Sequence, residues 1–169
     1  MLAAVTDLAG NLTGVHRTWL DPSGRSKANI ANPRRAVGNI LGHGVRFGTA
    51  GPVLVAGEGI ETVLSLKSAV PSLPMVAALS AAHLGALILP PGLQRLYVAR
   101  DADAARQWAC ERLARRAHAA GIKVVPLDPF AGDFNDDLLA HGAAALRATV
   151  LRQMCLEAQE PLDAGSGCQ

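Results

Sequence analysis

A chain of 169 residues, half of them apolar, is long enough for one domain with a full core plus an appendage and short for two independent domains. Its formal charge of +2 excludes a strongly basic or acidic protein as a whole, and an aromatic content of 4% excludes a core of stacked rings and makes broad stacking surfaces for single strands an unfavoured expectation. Cys110, Cys155 and Cys168 are odd in number and too far apart for a CxxC metal knuckle or a disulfide framework, so they read as free thiols of a reducing, cytoplasmic compartment. No uninterrupted run of about eighteen apolar residues marks a membrane span.

In chain order, the first 50 residues are basic. Arg17, Arg25, Lys27, Arg34, Arg35 and Arg46 stand against Asp7 and Asp21, which gives this segment +4 and the remainder −2. A basic segment on an acidic-centred domain suits a protein that handles phosphates, because the first attracts a polyanion and the second holds metal. An unevenly charged, solvated surface fits the same numbers. The run at 12–20, LTGVHRTWL, mixes β-formers with polar residues, and DPSG at 21–24 has the Pro and Gly positions of a turn. The sequence therefore predicts a hairpin whose return limb includes Lys27 to Ile30, followed by short extended pieces among the glycines from Val37 to Phe47. This region has little core of its own and is expected to pack on the larger domain or on a neighbour.

From Val53 the rhythm becomes strand, helix, strand, helix, which argues for a parallel sheet with right-handed crossovers. Strands are expected at Val53–Ala56, Met75–Leu79, Arg95–Ala99 and Lys123–Leu127. Helices are expected at about Ile60–Ala69, Ser80–Leu87, Ala104–Ala120, Leu138–His141 and Ala143–Ala158, bounded by Pro71, the breaker Pro90-Pro91-Gly92, and Gly121. In the long third helix, Ala105, Ala109, Leu113 and Ala117 make a stripe of small residues suited to lying flat on a sheet. The fold class is thus α/β, with a division into residues 1–50 as a basic β-rich segment, 51–142 as the main domain, 143–160 as a C-terminal helix and 161–169 as a disordered tail.

Three strand ends carry acids. Glu58 follows the first, between Gly57 and Gly59; Asp101 and Asp103 follow the third; Asp133, Asp136 and Asp137 follow the fourth. In a parallel sheet those loops emerge at one edge, where ligands bind. Carboxylates gathered there repel one another unless a cation neutralises them, and oxygen donors of this kind suit Mg²⁺. The alternatives stay open: Glu58 as an acid favouring a helix N-terminus, and the two aspartates as caps for the helix that follows. His16, His43, His83, His118 and His141 share no ligand spacing, Trp19 and Trp108 read as packing residues, and neither a dinucleotide fingerprint nor a nucleophile elbow is present.

EGIET at 58–62, RDADAA at 100–105 and GDFNDDL at 132–138 resemble, in order and spacing, the Toprim domain of primases, topoisomerases and certain nucleases. The primase-type Toprim proteins of plasmids, phages and integrated elements are most similar, and HRTWLDPSGRSKANIANPRRAVG resembles the segment preceding the domain in them. The resemblance covers roughly Gly14 to Gly142. It implies a Rossmann-like fold of about four parallel strands flanked by helices, as periodicity also suggests. It further implies that Glu58 is the catalytic acid or base and, with Asp101, Asp103 and Asp133, holds Mg²⁺, with Mn²⁺ as a substitute. Glu61 is the ancillary acid. Arg17, Arg25, Lys27, Arg34 and Arg35 are then the nucleic-acid-binding residues.

The chain departs from the family pattern at Arg100, Arg106 and Gly132, and no zinc-binding cysteine cluster precedes the motifs. Three functions follow as expectations. The first is Mg-dependent, primase-like nucleotidyl transfer in DNA replication of a mobile element, with DNA or RNA, nucleoside triphosphates and a replicative helicase or companion primase subunit as partners. The second is a Toprim nuclease cleaving DNA or RNA. The third is a non-catalytic module that binds nucleic acid or a replication partner, so enzymatic activity itself stays open.

Overall fold

The computed structural model describes residues 1–24, 26–100 and 107–156. Five strands build the larger sheet: β4 (Val45–Phe47), β5 (Val53–Gly57), β6 (Met75–Ala77), β7 (Arg95–Ala99) and β8 (Lys123–Leu127), in spatial order β4-β6-β5-β7-β8. β5, β6, β7 and β8 are parallel, and β4 pairs antiparallel on the outer side of β6. Helix α1 (Ile60–Ala69) connects β5 to β6, and α2 (Ala81–Ala86) lies between β6 and β7. Helix α3 (Gln107–Ala119) precedes β8, and α4 (Phe134–Leu156) closes the described chain.

Both faces of this sheet are buried, which is why its strands read as continuous apolar runs. Val55, Met75, Tyr97, Val125 and Leu127 point to one side, where α1 and α4 contribute Val63, Leu66, Phe134, Leu146 and Val150. Leu54, Val76, Leu96 and Val98 point to the other, against Leu84 of α2 and Ala109, Leu113 and Ala117 of α3. The small stripe of α3 therefore does lie on the sheet, while Ala105 lies outside the described residues. Each core strand contributes alternate side chains to two layers, the pattern period two dictates.

The N-terminal region differs from the expected hairpin. β1 (Leu2–Thr6), β2 (Leu12–Thr18) and β3 (Arg34–Gly38) form an antiparallel sheet in that order. The partners of β2 are β1 and β3, and the Lys27–Ile30 limb makes only an isolated bridge, Leu20 with Lys27. The DPSG turn does form, with Gly24 N–H donating to Asp21 C=O at 3.0 Å and Asp21 N–H to Ser26 C=O at 2.9 Å. After it the chain bends rather than continuing as a strand. The region is joined to the larger sheet through a Thr6–Gly44 bridge and through Val5, which is fully buried in the main core.

The acidic segment after β8 also folds earlier than expected. Helix α4 begins at Phe134 and not at Leu138, because Asp133 supplies the cap: its Oδ1 accepts from the N–H groups of Asn135 and Asp136, both at 2.8 Å. The helix breaks at Gly142, whose φ of 78° and ψ of 168° interrupt the helical path at the position where the sequence predicts separate helices. Only glycine adopts that backbone without strain.

Candidate active edge

Glu58 leaves the carboxyl end of β5, the central strand. Gly57 is in register with Ala77 of β6, and Ala56 with Val98 of β7, so Glu58 emerges between the ends of two parallel neighbours. Gly57 is required for closeness rather than for an unusual dihedral, since a Cβ there would stand 2.9 Å from Val63 Cγ2 of α1. Gly59 has φ −89° and ψ 147°, an ordinary extended conformation, so the turn does not depend on left-handed glycine.

The strained residue is on the neighbouring strand end. Leu79, at φ 81°, is the one non-glycine residue with positive φ among the described residues. Its N–H donates to the Glu58 carbonyl at 2.8 Å, and Ala78 N–H donates to the Gly57 carbonyl at 2.9 Å. A Cβ-bearing residue held in that region costs about 1–3 kcal/mol, which the surrounding structure must offset. Ser80 then caps α2, its Oγ accepting from His83 N–H at 3.3 Å.

On the other flank, Arg100 follows β7 directly, and its guanidinium makes a bidentate pair with Asp128, Nε to Oδ1 at 2.6 Å. That hydrogen bond, opposed by partial burial, holds the Arg100 pKa above its usual value. Asp128 is fixed in turn by Gln153 of α4, whose Oε1 accepts from Asp128 N–H and whose Nε2 donates to Asp128 C=O, both at 2.8 Å. Asp101 and Asp103 follow Arg100 directly in sequence, and both lie outside the described residues, as do Arg25 and Arg106. β7 therefore delivers its end to the same edge as Glu58, on an adjacent parallel strand.

Asp133, Asp137 and Glu61 have structural duties at this edge. Asp133 caps α4, and Asp137, which is buried, accepts from the N–H groups of Phe130 and Ala131 at 2.7 and 3.0 Å and so shapes the loop after β8. Glu61, in the first turn of α1, pairs through Oε2 with Lys27 Nζ at 3.0 Å and Arg34 Nη2 at 3.4 Å. Among the described residues no three of His, Cys, Asp or Glu gather in a metal-binding group.

Lys27 and Arg34 thus face inward, toward the edge that carries Glu58. A small cavity of about 20 Å³ lies there, lined among others by His16, Thr18, Arg34, Gly59, Glu61 and Leu79. His16 is only 6% exposed, and its Nδ1 has no hydrogen-bond partner. Burial pushes its pKa below the ordinary imidazole value, Arg34 adds to that effect, and Glu61 opposes it. Arg17 and Arg35 lie on the opposite face of the same sheet, so the structure splits the expected basic set in two. Trp19 and Trp108 are 51% and 47% exposed, which corrects their reading as packing residues. The signal available for Trp19 was the alternation of β2 continued by one residue.

A family model described as "Toprim domain" matches residues 53–144, and one described as "Domain of unknown function (DUF7146)" matches residues 1–47. No curated protein sequence matches the chain. Among solved structures, the Aquifex aeolicus primase (zinc binding and RNA polymerase domains) superposes with a TM-score of 0.62 at 19% identity, over 89% of this chain and 39% of that one. The primase fragment of the bacteriophage T7 primase-helicase protein gives 0.64 at 18%, over 90% and 60%. The RNA polymerase domain of Mycobacterium tuberculosis primase DnaG, in complex with double-stranded DNA, gives 0.55 at 20%, over 97% and 59%. The chain thus spans 39 to 60% of the length of these primase chains, and at such identities the likeness is one of fold. With a family model covering more than half of its length, the chain belongs to the Toprim domain family, and its fold is shared with primase structures.

Proposed function

We propose that this chain acts on nucleic-acid phosphodiesters through Mg²⁺, by primase-like nucleotidyl transfer in the replication of a mobile element. The observation that carries this reading is the placement of Glu58 at the carboxyl end of the central strand, beside the strand that leads into Asp101. The donor chemistry suits a hard cation: every acid reaching this edge offers carboxylate oxygens. By their places at the ends of adjacent parallel strands, the ion is assigned to Glu58, Asp101 and Asp103 first and to Asp133 second. When bound, the ion offsets charge on the phosphoryl group during in-line displacement. Glu58 takes the proton from the attacking hydroxyl, and the Leu79 hydrogen bond to its carbonyl holds the backbone from which that side chain leaves.

Nucleoside triphosphates and a DNA or RNA strand are the substrates in this reading. A companion primase subunit or a replicative helicase is the protein partner in this reading. Cys110 and Cys155 form no disulfide among the described residues, in accord with the cytoplasmic setting of this reading. No helix among the described residues is long and apolar enough to cross a membrane. The division at residues 50, 142 and 160 remains part of this proposal.

Purified protein incubated with Mg²⁺, nucleoside triphosphates and single-stranded DNA should extend the strand, and Glu58→Gln should abolish the product. Cleavage without extension would replace transferase by nuclease. One observation favours a second reading, a non-catalytic binding module: Glu61 is held by two cations and not left to an ion. Neither extension nor cleavage, with intact strand binding, would select it.

A further inference from the structure

We infer that the outer face of the β1-β2-β3 sheet is a path for single-stranded nucleic acid, distinct from the inner face that meets Glu61. The inference rests on the proposed action on nucleic acid and adds the route of the strand. Burial along β2 alternates: Gly14, His16 and Thr18 are buried, while Val15 and Arg17 are exposed. Register places Leu2, Arg17 and Arg35 in one row across the three strands and Ala4, Val15 and Val37 in the next. Leu2 and Val37 are 75% and 74% exposed, so the face carries apolar side chains in water with arginines among them.

Trp19 continues this face. The Arg17 guanidinium carbon stands 5.4 Å from the centroid of its ring, which fixes both groups as a cation–π pair. Arg17 and Arg35 are directly opposite each other across the ladder, and neither has an ion pair among the described residues. Like charges in that position destabilise a sheet unless an anion lies between them. The occupant must then bring repeated negative charge and flat apolar surface together. A single strand does both, with phosphates at the arginine pair and bases on Trp19 and the valine row. A second copy docked by a two-fold axis would set arginines against arginines, and a duplex keeps its base faces stacked inside.

The test uses the full chain with Trp108→Phe, which leaves Trp19 as the only tryptophan of the two in the sequence. Labelled oligothymidylate is titrated in EDTA, following anisotropy and Trp19 emission, with heparin as a polyanion lacking bases. Oligothymidylate should quench Trp19 and heparin should not. Arg17→Ala with Arg35→Ala should flatten the log–log salt slope by about 1.4, and Trp19→Leu should weaken binding about tenfold. All three side chains are surface groups, and a melt checks that the variants stay folded. Unchanged affinity and slope in both variants would overturn this face as the path while leaving action on nucleic acid intact. Equal quenching by heparin would reassign it to an acidic partner, and a wild-type dimer altered by the arginine changes would reassign it to a second copy. Absence of strand binding by every form would remove this inference and the proposed function together.

Discussion

Arg34 on β3 reaches Glu61 in the first turn of α1, Nη2 to Oε2 at 3.4 Å, across 27 positions of sequence. Lys27 shares the same oxygen at 3.0 Å. One carboxylate therefore neutralises two cations that the sequence assigns to a phosphate backbone. Glu61→Gln should release both, so affinity for a polyanion at low salt should rise and its salt dependence steepen. If Glu61 instead serves an ion, the same change should weaken Mg²⁺-dependent binding. The groups are about half exposed, so the loss of stability should be at most about 1 kcal/mol.

Asp133 allows its two roles to be separated. Asparagine caps a helix as well as aspartate does, so Asp133→Asn should keep α4 intact and remove only charge, whereas Asp133→Ala should lower stability by about 1 kcal/mol. Thermal melts compare the two, and a Mg²⁺ response lost in Asp133→Asn at unchanged apo stability would assign the residue to the ion.

The metal assignment predicts a stabilising response of the native state to millimolar Mg²⁺ or Mn²⁺. Asp101→Asn with Asp103→Asn should abolish that response. Glu58→Gln should reduce it only in part while ending turnover, because proton transfer is its principal role here. Indifference of the wild-type melt to both ions would contradict the assignment.

His16 should make the fold acid-sensitive. Its native pKa is depressed, chiefly by burial, with Arg34 adding to this and Glu61 opposing it. The unfolded chain therefore binds the proton first, so stability should be constant above the ordinary imidazole value of about 6.5 and fall as pH drops from there toward the native pKa. His16→Gln should remove this component of the pH dependence in urea titrations across that window, and a wild-type profile flat down to the carboxylate range would refute it.

The main sheet was legible in the sequence because its strands are buried on both faces and its breakers are strong. Arg95–Ala99, Lys123–Leu127 and the helix at Ile60–Ala69 fall where the sequence predicts them. The N-terminal sheet was harder, since β3 carries exposed residues throughout except the half-buried Ala36, and so offers no alternation to read. β1 pairs with β2 across a turn at Asp7, Gly10 and Asn11, turn residues that the reading passed over, and Val5 anchors the strand in the other sheet's core. At the site, the position of Glu58 followed from strand and glycine. The partners of Glu61, the bidentate pair of Arg100 with Asp128 and the backbone of Leu79 did not, because each depends on residues brought together only by the crossovers. Asp101 and Asp103 lie outside the described residues, so their expected roles rest on the motif and on the end of β7 that leads to them.

The two hydrogen bonds between Gln153 and the backbone of Asp128 make the second half of α4 a mechanical strut. Beyond the break at Gly142, that helix is thus connected through Asp128 to Arg100 and so to the strand end that precedes Asp101. Gln153→Ala should release this connection, seen as faster amide exchange at Asp128 and Arg100 with little change at Glu58.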